Sequence, residues 1–307
     1  MCITRVVSVI AMRIKTGSRS KQYLRDNASA DEIPHDSIDI GGALLSGPSS
    51  EDYIFEQLAL GSDTAGANAP TDYIDLRKYS KPSRHQRKRG TCAAFAAATI
   101  REIQEHIIGA SAMPPQVLSP EFIYFHRKNK PAEGMFGRDV LMIMRDIGLV
   151  PEEMFPYDDV VEPMTEPGIE HYEAAASHRI SNFARVTTCA GLKRAIREVG
   201  PCYLVLPLYA SRPFFWRPQG KGNPCGHSVA VVGYNHDGFI LKNSWGPTWN
   251  GDGCVIFPYA EWELHWECWA PLNRGIVTSS AVSLHVSLDD EISDGGVRVN
   301  KSRCMVM

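Results

Sequence analysis

One cysteine, one histidine and one asparagine stand in contexts that could support nucleophilic catalysis. Cys92 opens a long alanine-rich run, and His227 and Asn243 follow it by about 130–150 residues. A cysteine at the start of a helix and beside an imidazole becomes a strong nucleophile, because the helix dipole and the imidazolium both stabilise the thiolate. An asparagine can hold the imidazole in one orientation through a hydrogen bond. Together the three residues predict acyl transfer through a cysteine nucleophile.

Each of these residues also has an ordinary structural explanation when it is taken alone. A cysteine that enters an alanine-rich helix is usually a small buried hydrophobic residue. A histidine at the start of a strand, and an asparagine before Ser244-Trp245-Gly246, fit a core or a turn equally well. The order and spacing of all three favour the catalytic interpretation.

Helical patterns precede strand patterns along the chain. Apolar residues recur at helical spacing within residues 92–108, 140–147 and 192–199, each run ends at a glycine, and Ser119-Pro120 opens a further short helix. After Pro201 the period becomes that of strands, within residues 202–209, 227–234, 239–245, 253–259 and 282–288. The sequence therefore predicts an α+β fold, with the nucleophile on the helical half, the base on the strand-rich half and the site in a cleft between them.

The chain divides into three parts by composition. Residues 1–70 are predicted to form an N-terminal extension, with a short helix capped by Ser49 or Ser50 that runs through Leu60 and a linker over residues 61–70. Residues 71–288 carry the sharp patterns and form the predicted catalytic domain. Residues 289–307 are a polar C-terminal tail.

Composition and charge exclude several classes of function. A net charge of −3 and a pI of about 6.4 provide no basic field for nucleic acid. No apolar run reaches the roughly 20 residues that span a bilayer, so no integral membrane span is predicted. Eight cysteines without a C-x-x-C pair disfavour structural zinc, and no cofactor is predicted. The expected location is the cytoplasm, or outside the cell without an obvious signal peptide.

Residues 71–270 resemble the papain family of cysteine peptidases, in a bacterial-type version without the usual disulfides. The resemblance rests on four ordered stretches: residues 86–96 (QRKRGTCAAFA), 148–157 (GLVPEEMFPY), 226–234 (GHSVAVVGY) and 241–246 (LKNSWG). The separations between the cysteine, the histidine and the asparagine are also those of papain and the cathepsins. The resemblance implies a papain-like fold and hydrolysis of peptides or proteins by an endopeptidase.

The resemblance assigns a role to each site residue. Cys92 would attack the scissile carbonyl as a thiolate, and His227 would be its ion-pair partner and then the acid. Asn243 would orient the imidazole, and Gln86 with the backbone N–H of Cys92 would form the oxyanion hole. The remaining substrate-binding candidates include the indoles that would shield the histidine: Gly134, Phe136, Gly137, Val205, Ser228, Trp245 and Trp249. The pocket among them would be apolar or small and favour an apolar substrate residue.

Several positions depart from the family pattern. Arg89 stands where the family commonly has a structural cysteine, and Ala93 replaces the usual tryptophan. Cys225 and Cys268 fall near where the family carries another bridge. Family members often have an N-terminal inhibitory segment that runs through the cleft, and residues 1–70 could be such a segment or a mobile tether.

Other activities and an anchor stay open at this stage. The same triad could transfer an acyl group to an amine, as in an acyltransferase or transglutaminase-like enzyme, or the fold could be a catalytically silent binding module. An exopeptidase is also compatible with the sequence. The residues Cys304-Met-Val-Met307 fit a prenylation pattern, which would give reversible membrane association; a chance cysteine is the alternative. The sequence does not indicate an oligomeric state.

Overall fold

The computed structural model describes residues 41–58, 72–109, 116–158, 166–219 and 222–273. The helices are α1 (Cys92–Ile108), α2 (Pro120–Phe125), α3 (Gly137–Asp146), α4 (Ile169–Ala176) and α5 (Cys189–Val199). The strands are β1 (Ala43–Leu44), β2 (Ile74–Asp75), β3 (Met135–Phe136), β4 (Asn182–Arg185), β5 (Cys202–Leu208), β6 (Cys225–Tyr234), β7 (Gly238–Lys242), β8 (Cys254–Pro258) and β9 (Glu267–Leu272). All five helices precede the strand-rich half that begins at β5, so the α+β prediction is confirmed.

The strands form one mixed sheet around the long strand β6. The order along the sheet is β3-β1-β6-β5-β9-β4, while β2 and β7 also pair with β6, and β8 pairs with β7. Strand β5 is buried along its whole length because both of its faces are covered. Alternate residues of a strand face opposite sides: Leu204 and Leu206 enter one core, and Tyr203 and Val205 enter the other.

Helix α1 packs its alanine-rich first turns against the strand half. Its alanines share a core with Val205, Ala230 and Val232 of β5 and β6. Small side chains let a helix approach a sheet closely, which places the first residue of α1 beside β6. Helix α2 starts as predicted, with the Phe122 N–H donating to Ser119 Oγ at 3.0 Å and Pro120 in the first turn.

The predicted helix after Ser49 and Ser50 is wrong. Residues 49–52 form a turn in which Ser49 Oγ accepts from the Glu51 N–H, and only the single 3₁₀ turn Phe55–Gln57 follows. Long-range contacts explain the difference, because Phe55 is buried in the core of the strand half. In addition, the Glu56 carboxylate accepts the backbone N–H groups of Thr187 and Thr188. Tertiary packing therefore overrides the local helix signal.

Some predictions fall outside the described residues. These are the linker over residues 61–70, the strand over residues 282–288, the polar tail and Cys304, so the three-part division and the prenylation hypothesis stay predictions. Within the described ranges every cysteine is a free thiol, so the Cys225–Cys268 bridge is wrong. Cys225 is exposed at the start of β6, whereas Cys268 is buried in β9. None of the described helices is long and apolar enough to cross a membrane.

Candidate active site

The nucleophile candidate lies at the N-terminus of a buried helix. Cys92 is the first residue of α1 and has no exposed surface. Burial raises the pKa of its thiol to about 11, and hydrogen bonds from the backbone N–H groups of Ser228 and Gly42 offset only part of that rise. In the state described here Cys92 is therefore a neutral thiol.

The base candidate lies on β6 and is held by the predicted asparagine. The Nε2–H group of His227 donates to Asn243 Oδ1 at 2.7 Å, which leaves Nδ1 as the nitrogen with a lone pair. Nδ1 has no hydrogen-bond partner among the described residues. The backbone N–H of the next residue along β6, Ser228, hydrogen-bonds to the Cys92 sulfur, which places this part of β6 beside the start of α1. Burial lowers the pKa of His227 to about 4, so the imidazole is neutral as well.

Aromatic rings enclose the imidazole. Trp245 stacks on His227 with ring centroids 4.6 Å apart, and Trp249 packs edge-on against Trp245 at 5.1 Å. Trp245 thus covers one face of the imidazole. A third ring, Phe215, was not among the predicted site residues; it lies perpendicular to the imidazole at 5.2 Å and is fully buried. The aromatic run at residues 214–216 was the available signal for it.

Gln86 is buried beside the start of α1, and four hydrogen bonds hold it there. Its Oε1 accepts from Ser244 Oγ at 2.6 Å and its Nε2 donates to the Arg89 carbonyl at 3.1 Å. Its backbone N–H donates to Ser244 O at 2.8 Å, and its carbonyl accepts from Tyr157 Oη at 2.6 Å. Ser244 and Tyr157 therefore hold Gln86 in place; neither was a predicted site residue, although both lie within the sequence motifs.

The predicted pocket residues lie along both sides of the cleft. Gly134 precedes β3, and Phe136 is partly exposed at the end of that strand, while Val205 and Ser228 face each other across β5 and β6. Gly137 begins α3, and a side chain there would lie 2.5 Å from the Glu267 carboxylate. Glu267 pairs with Val205 on β9, and burial raises its pKa. The predicted pocket residues thus lie near a carboxylate that the sequence did not suggest.

A segment of the N-terminal extension crosses the cleft. This segment, residues 41–47, is called the strap. Its strand β1 pairs in parallel with β3 and antiparallel with β6, so it joins the helical half to the strand half. The Gly42 N–H donates to Gly226 O at 3.0 Å, and the Met135 N–H donates to Gly42 O at 2.8 Å. The strap therefore covers Cys92, as an inhibitory segment would.

Glycines allow the strap to lie this close. A Cβ atom on Gly42 would be 2.1 Å from the Gly90 carbonyl oxygen, and one on Gly226 would be 2.0 Å from the Ala43 carbonyl oxygen. Real Cβ atoms essentially never come within 3.0 Å of such a group. Gly47, at the exposed end of the strap, meets nothing within 4 Å. The strap thus fits only because Gly42 and its neighbours across the cleft have no side chains.

The strap does not present a bond for cleavage to Cys92. The Gly42 N–H contributes a hydrogen bond to the sulfur besides the one that it donates to Gly226 O, whereas the Gly42 carbonyl accepts from the backbone of Met135. A thiolate attacks a carbonyl carbon, so this orientation makes the strap a cover for the nucleophile.

An acidic residue fastens the strap to the two halves. Asp52 receives hydrogen bonds from Arg138 on α3 at 2.8 and 2.9 Å and from Arg185 on β4 at 3.0 Å. Burial raises the pKa of Asp52, but the two guanidinium groups outweigh it and hold the pKa below 3.8. Because the pKa of Asp52 is lower in the folded than in the unfolded chain, its ion pairs stabilise the fold at any pH above the unfolded pKa. This stabilisation is lost as the pH falls below about 4. Arg138 also donates to Gly47 O at 2.6 Å.

We expect Asp52→Asn to loosen the strap. The neutral amide loses both ion pairs and leaves two partly buried guanidinium groups without their carboxylate. Alkylation of Cys92 by iodoacetamide should become about 10-fold faster, as measured by peptide mapping. The matched control is Asp146→Asn, which removes an exposed ion pair with Arg145 and should leave the rate unchanged. Equal rates for Asp52→Asn and wild type would contradict a fastening role.

Comparisons with known proteins agree with this geometry. The model of the papain family cysteine protease matches residues 70–261. Human cathepsin L2 is 28% identical over 207 residues, which are 59% of this chain and 59% of that protein. Mexicain from Jacaratia mexicana is 26% identical over 209 residues, 65% of this chain and 90% of that protein. The chain thus spans about three fifths of the length of some curated relatives.

Solved structures show the same fold. Xylellain, a cysteine protease from Xylella fastidiosa, superposes with a TM-score of 0.65 at 20% identity, over 79% of this chain and 99% of that one. Digestive procathepsin L 3 of Tenebrio molitor gives a TM-score of 0.56 at 17% identity and covers 77% of each chain. With the family model matching more than half of the sequence, the chain belongs to the papain family of cysteine proteases.

Proposed function

We propose that the protein hydrolyses peptide bonds through Cys92, and that the structure describes its latent form. The observation that carries the proposal is the placement of Cys92 at the start of α1, beside a histidine whose Nε2 is held by Asn243 and whose Nδ1 is left for the thiol. This is the arrangement that a cysteine nucleophile and its base require.

The mechanism follows from the two nitrogens of His227. Once the strap has left, Nδ1 takes the proton of Cys92, and the thiolate attacks the carbonyl carbon of the substrate. The oxyanion is stabilised by the Cys92 N–H and the Gln86 amide. The imidazolium then returns its proton to the leaving amine as the C–N bond breaks. Water, deprotonated by Nδ1, attacks the thioester, and the acid leaves as the proton returns to the sulfur.

Latency has an electrostatic cause in this proposal. Under the strap the thiol has a pKa of about 11 and the imidazole a pKa of about 4, so neither carries the charge that the reaction needs. Burial disfavours every charged form. Departure of the strap admits water, and the thiolate and imidazolium can then stabilise each other.

An endopeptidase fits the strap best. The strap is an uninterrupted chain that enters the cleft, passes Cys92 and continues to Asp52, so the cleft accommodates a polypeptide with residues on both sides of the nucleophile. Ala43 is buried where the strap pairs with Met135, among apolar side chains. We therefore propose that an apolar substrate residue binds near the scissile bond.

A peptide library tests the proposal. We expect Gly42→Ala, which displaces the strap, to cleave internal bonds with an apolar residue near the cut, as identified by mass spectrometry of the products. Cleavage confined to chain ends would indicate an exopeptidase. A preference for basic residues would indicate that the Glu267 carboxylate determines the specificity of the pocket. Incorporation of an added amine without hydrolysis would indicate acyl transfer. Peptide binding without any product would favour the binding module.

A further inference from the structure

Arg89 is a buried arginine three residues before the nucleophile, and the mechanism above does not use it. It is 5% exposed, and its partner Glu121 on α2 has no exposed surface. We propose that the Arg89–Glu121 ion pair is a positioning device for the oxyanion hole: it fixes the Arg89 carbonyl, which in turn orients the Gln86 side chain. The inference rests on the proposed function for its catalytic consequence.

The guanidinium group of Arg89 is fixed in both position and plane. It binds both carboxylate oxygens of Glu121, at 2.5 and 2.9 Å, and also donates to the backbone carbonyl of Asp158. The rings of Tyr124 and Tyr157 lie near the guanidinium carbon, each with its centroid 5.3 Å away. A bidentate pair of this kind restricts orientation as well as distance, which a lysine could not do.

The backbone of the same residue contacts the catalytic loop. The Arg89 carbonyl accepts from Gln86 Nε2 at 3.1 Å and from the Thr91 N–H at 2.8 Å. The first bond, together with the bond from Ser244 Oγ to Gln86 Oε1, sets the rotation of the Gln86 amide. The second shapes the turn that presents the N–H of Cys92. Both proposed oxyanion donors therefore depend on where the Arg89 carbonyl lies.

The ion pair takes the place of a covalent link. Arg89 stands where the family commonly has a structural cysteine, and every cysteine within the described ranges is a free thiol. A loop beside a nucleophile needs some attachment to the domain, because backbone donors stabilise an oxyanion only when they are held in place beforehand. Here α2 supplies that attachment through Glu121. Gly90 is held as well, since its N–H donates to the Glu133 carboxylate at 3.0 Å.

The variant that tests this replaces both partners, Arg89→Met with Glu121→Met, in the Gly42→Ala chain. Two methionines fill the space without leaving a buried charge unpaired, which a single substitution would do. We expect kcat for peptide hydrolysis to fall about 10- to 100-fold, a part of the roughly 10²–10³ that loss of one oxyanion donor costs. KM and the alkylation rate of Cys92 should not change, because neither uses the oxyanion hole.

Two further variants separate positioning from a general loss of stability. Adding Gln86→Ala should diminish the effect of the methionine pair, because only the part that acts through the turn presenting the Cys92 N–H remains. The control pair Arg101→Met with Glu105→Met removes another largely buried ion pair, located further along α1. It should lower the melting temperature without changing kcat.

The outcomes distinguish this inference from the proposed function. No hydrolysis by the parent Gly42→Ala chain would overturn the proposed function. The positioning role would then be decided by hydrogen–deuterium exchange, in which the methionine pair should speed exchange in residues 86–91 and leave β6 and β7 unchanged. Unchanged kcat in an active parent, an equal loss of kcat in the Gln86→Ala background, or unchanged exchange in residues 86–91 would each overturn the positioning role.

Discussion

Gly42→Ala is expected to convert Cys92 from an inert thiol into one that iodoacetamide alkylates near pH 5.5. The added methyl group would lie 2.1 Å from the Gly90 carbonyl oxygen, a backbone atom that cannot move aside as the end of a flexible side chain can. The strap must therefore leave the cleft, and Cys92 loses the cover that keeps it neutral. With a pKa of about 11, only about one thiol in 10⁵ to 10⁶ is ionised at that pH.

The expected increase in the alkylation rate follows from the ion pair between the Cys92 thiolate and the His227 imidazolium, which replaces the buried neutral thiol. A cysteine that is fully ionised beside an imidazolium should react at least 10²-fold faster, even though a thiolate of low pKa is intrinsically less nucleophilic. Peptide mapping after brief treatment measures the rate at Cys92 separately from the rate at the exposed Cys225. Gly47→Ala is the matched control, because a side chain there meets nothing within 4 Å and the strap should stay in place.

Two results would contradict this account. Fast alkylation of Cys92 in the unaltered chain would mean that the strap does not protect the thiol. Fast alkylation that persists when His227→Ala is added to Gly42→Ala would mean that the imidazolium is not the partner of the thiolate. In that background we expect the rate to return to that of an ordinary thiol, whose pKa of about 8.5 leaves it almost unreactive near pH 5.5.

The candidate catalytic residues could be identified from the sequence because each one stands in a distinctive local context. Cys92 follows Gly90 at the start of an alanine-rich helix, and Asn243 precedes Ser244-Trp245-Gly246 at the end of a strand. A local pattern of this kind identifies a residue without any knowledge of its distant neighbours. The helix and strand assignments succeeded for the same reason, since α1 and α5 have helical periodicity and end at Gly109 and Gly200, and β5 is a short apolar run that ends at the loop after Leu208.

The position of the strap over Cys92 was harder to predict because it depends on contacts between segments that are distant in the sequence. In the sequence Gly41-Gly42 looks like a flexible pair, and nothing local indicates that Gly42 will lie against Gly90 and Gly134. The same holds for Phe215, which reaches His227 only in the folded chain. Glu267 is another case, because the strand pairing that brings it beside Val205 has no local signature. Tertiary pairing, which a single sequence does not specify, decided each of these positions.

Removal of the nucleophile should have the largest effect on hydrolysis. In the Gly42→Ala chain, we expect Cys92→Ser to lower kcat for peptide cleavage by about 10⁴- to 10⁶-fold. A serine hydroxyl is far less acidic than a thiol, so His227 cannot hold it ionised in the ground state. The serine fits the buried position at the start of α1, so the melting temperature should change little.

An exposed cysteine near the same site provides the control for that experiment. Cys225 lies two residues before His227 at the beginning of β6, and Gly41 of the strap packs against it. If hydrolysis depends on Cys92, then Cys225→Ser in the Gly42→Ala chain should retain the full rate. A loss of activity in Cys225→Ser with Cys92 intact would mean that Cys92 had been wrongly identified as the nucleophile. A normal rate in Cys92→Ser would rule out a mechanism in which the Cys92 thiolate attacks the substrate. The two variants make the same chemical change at two cysteines, one at the start of α1 and one on the strand of His227, so a difference between them isolates the sulfur that attacks.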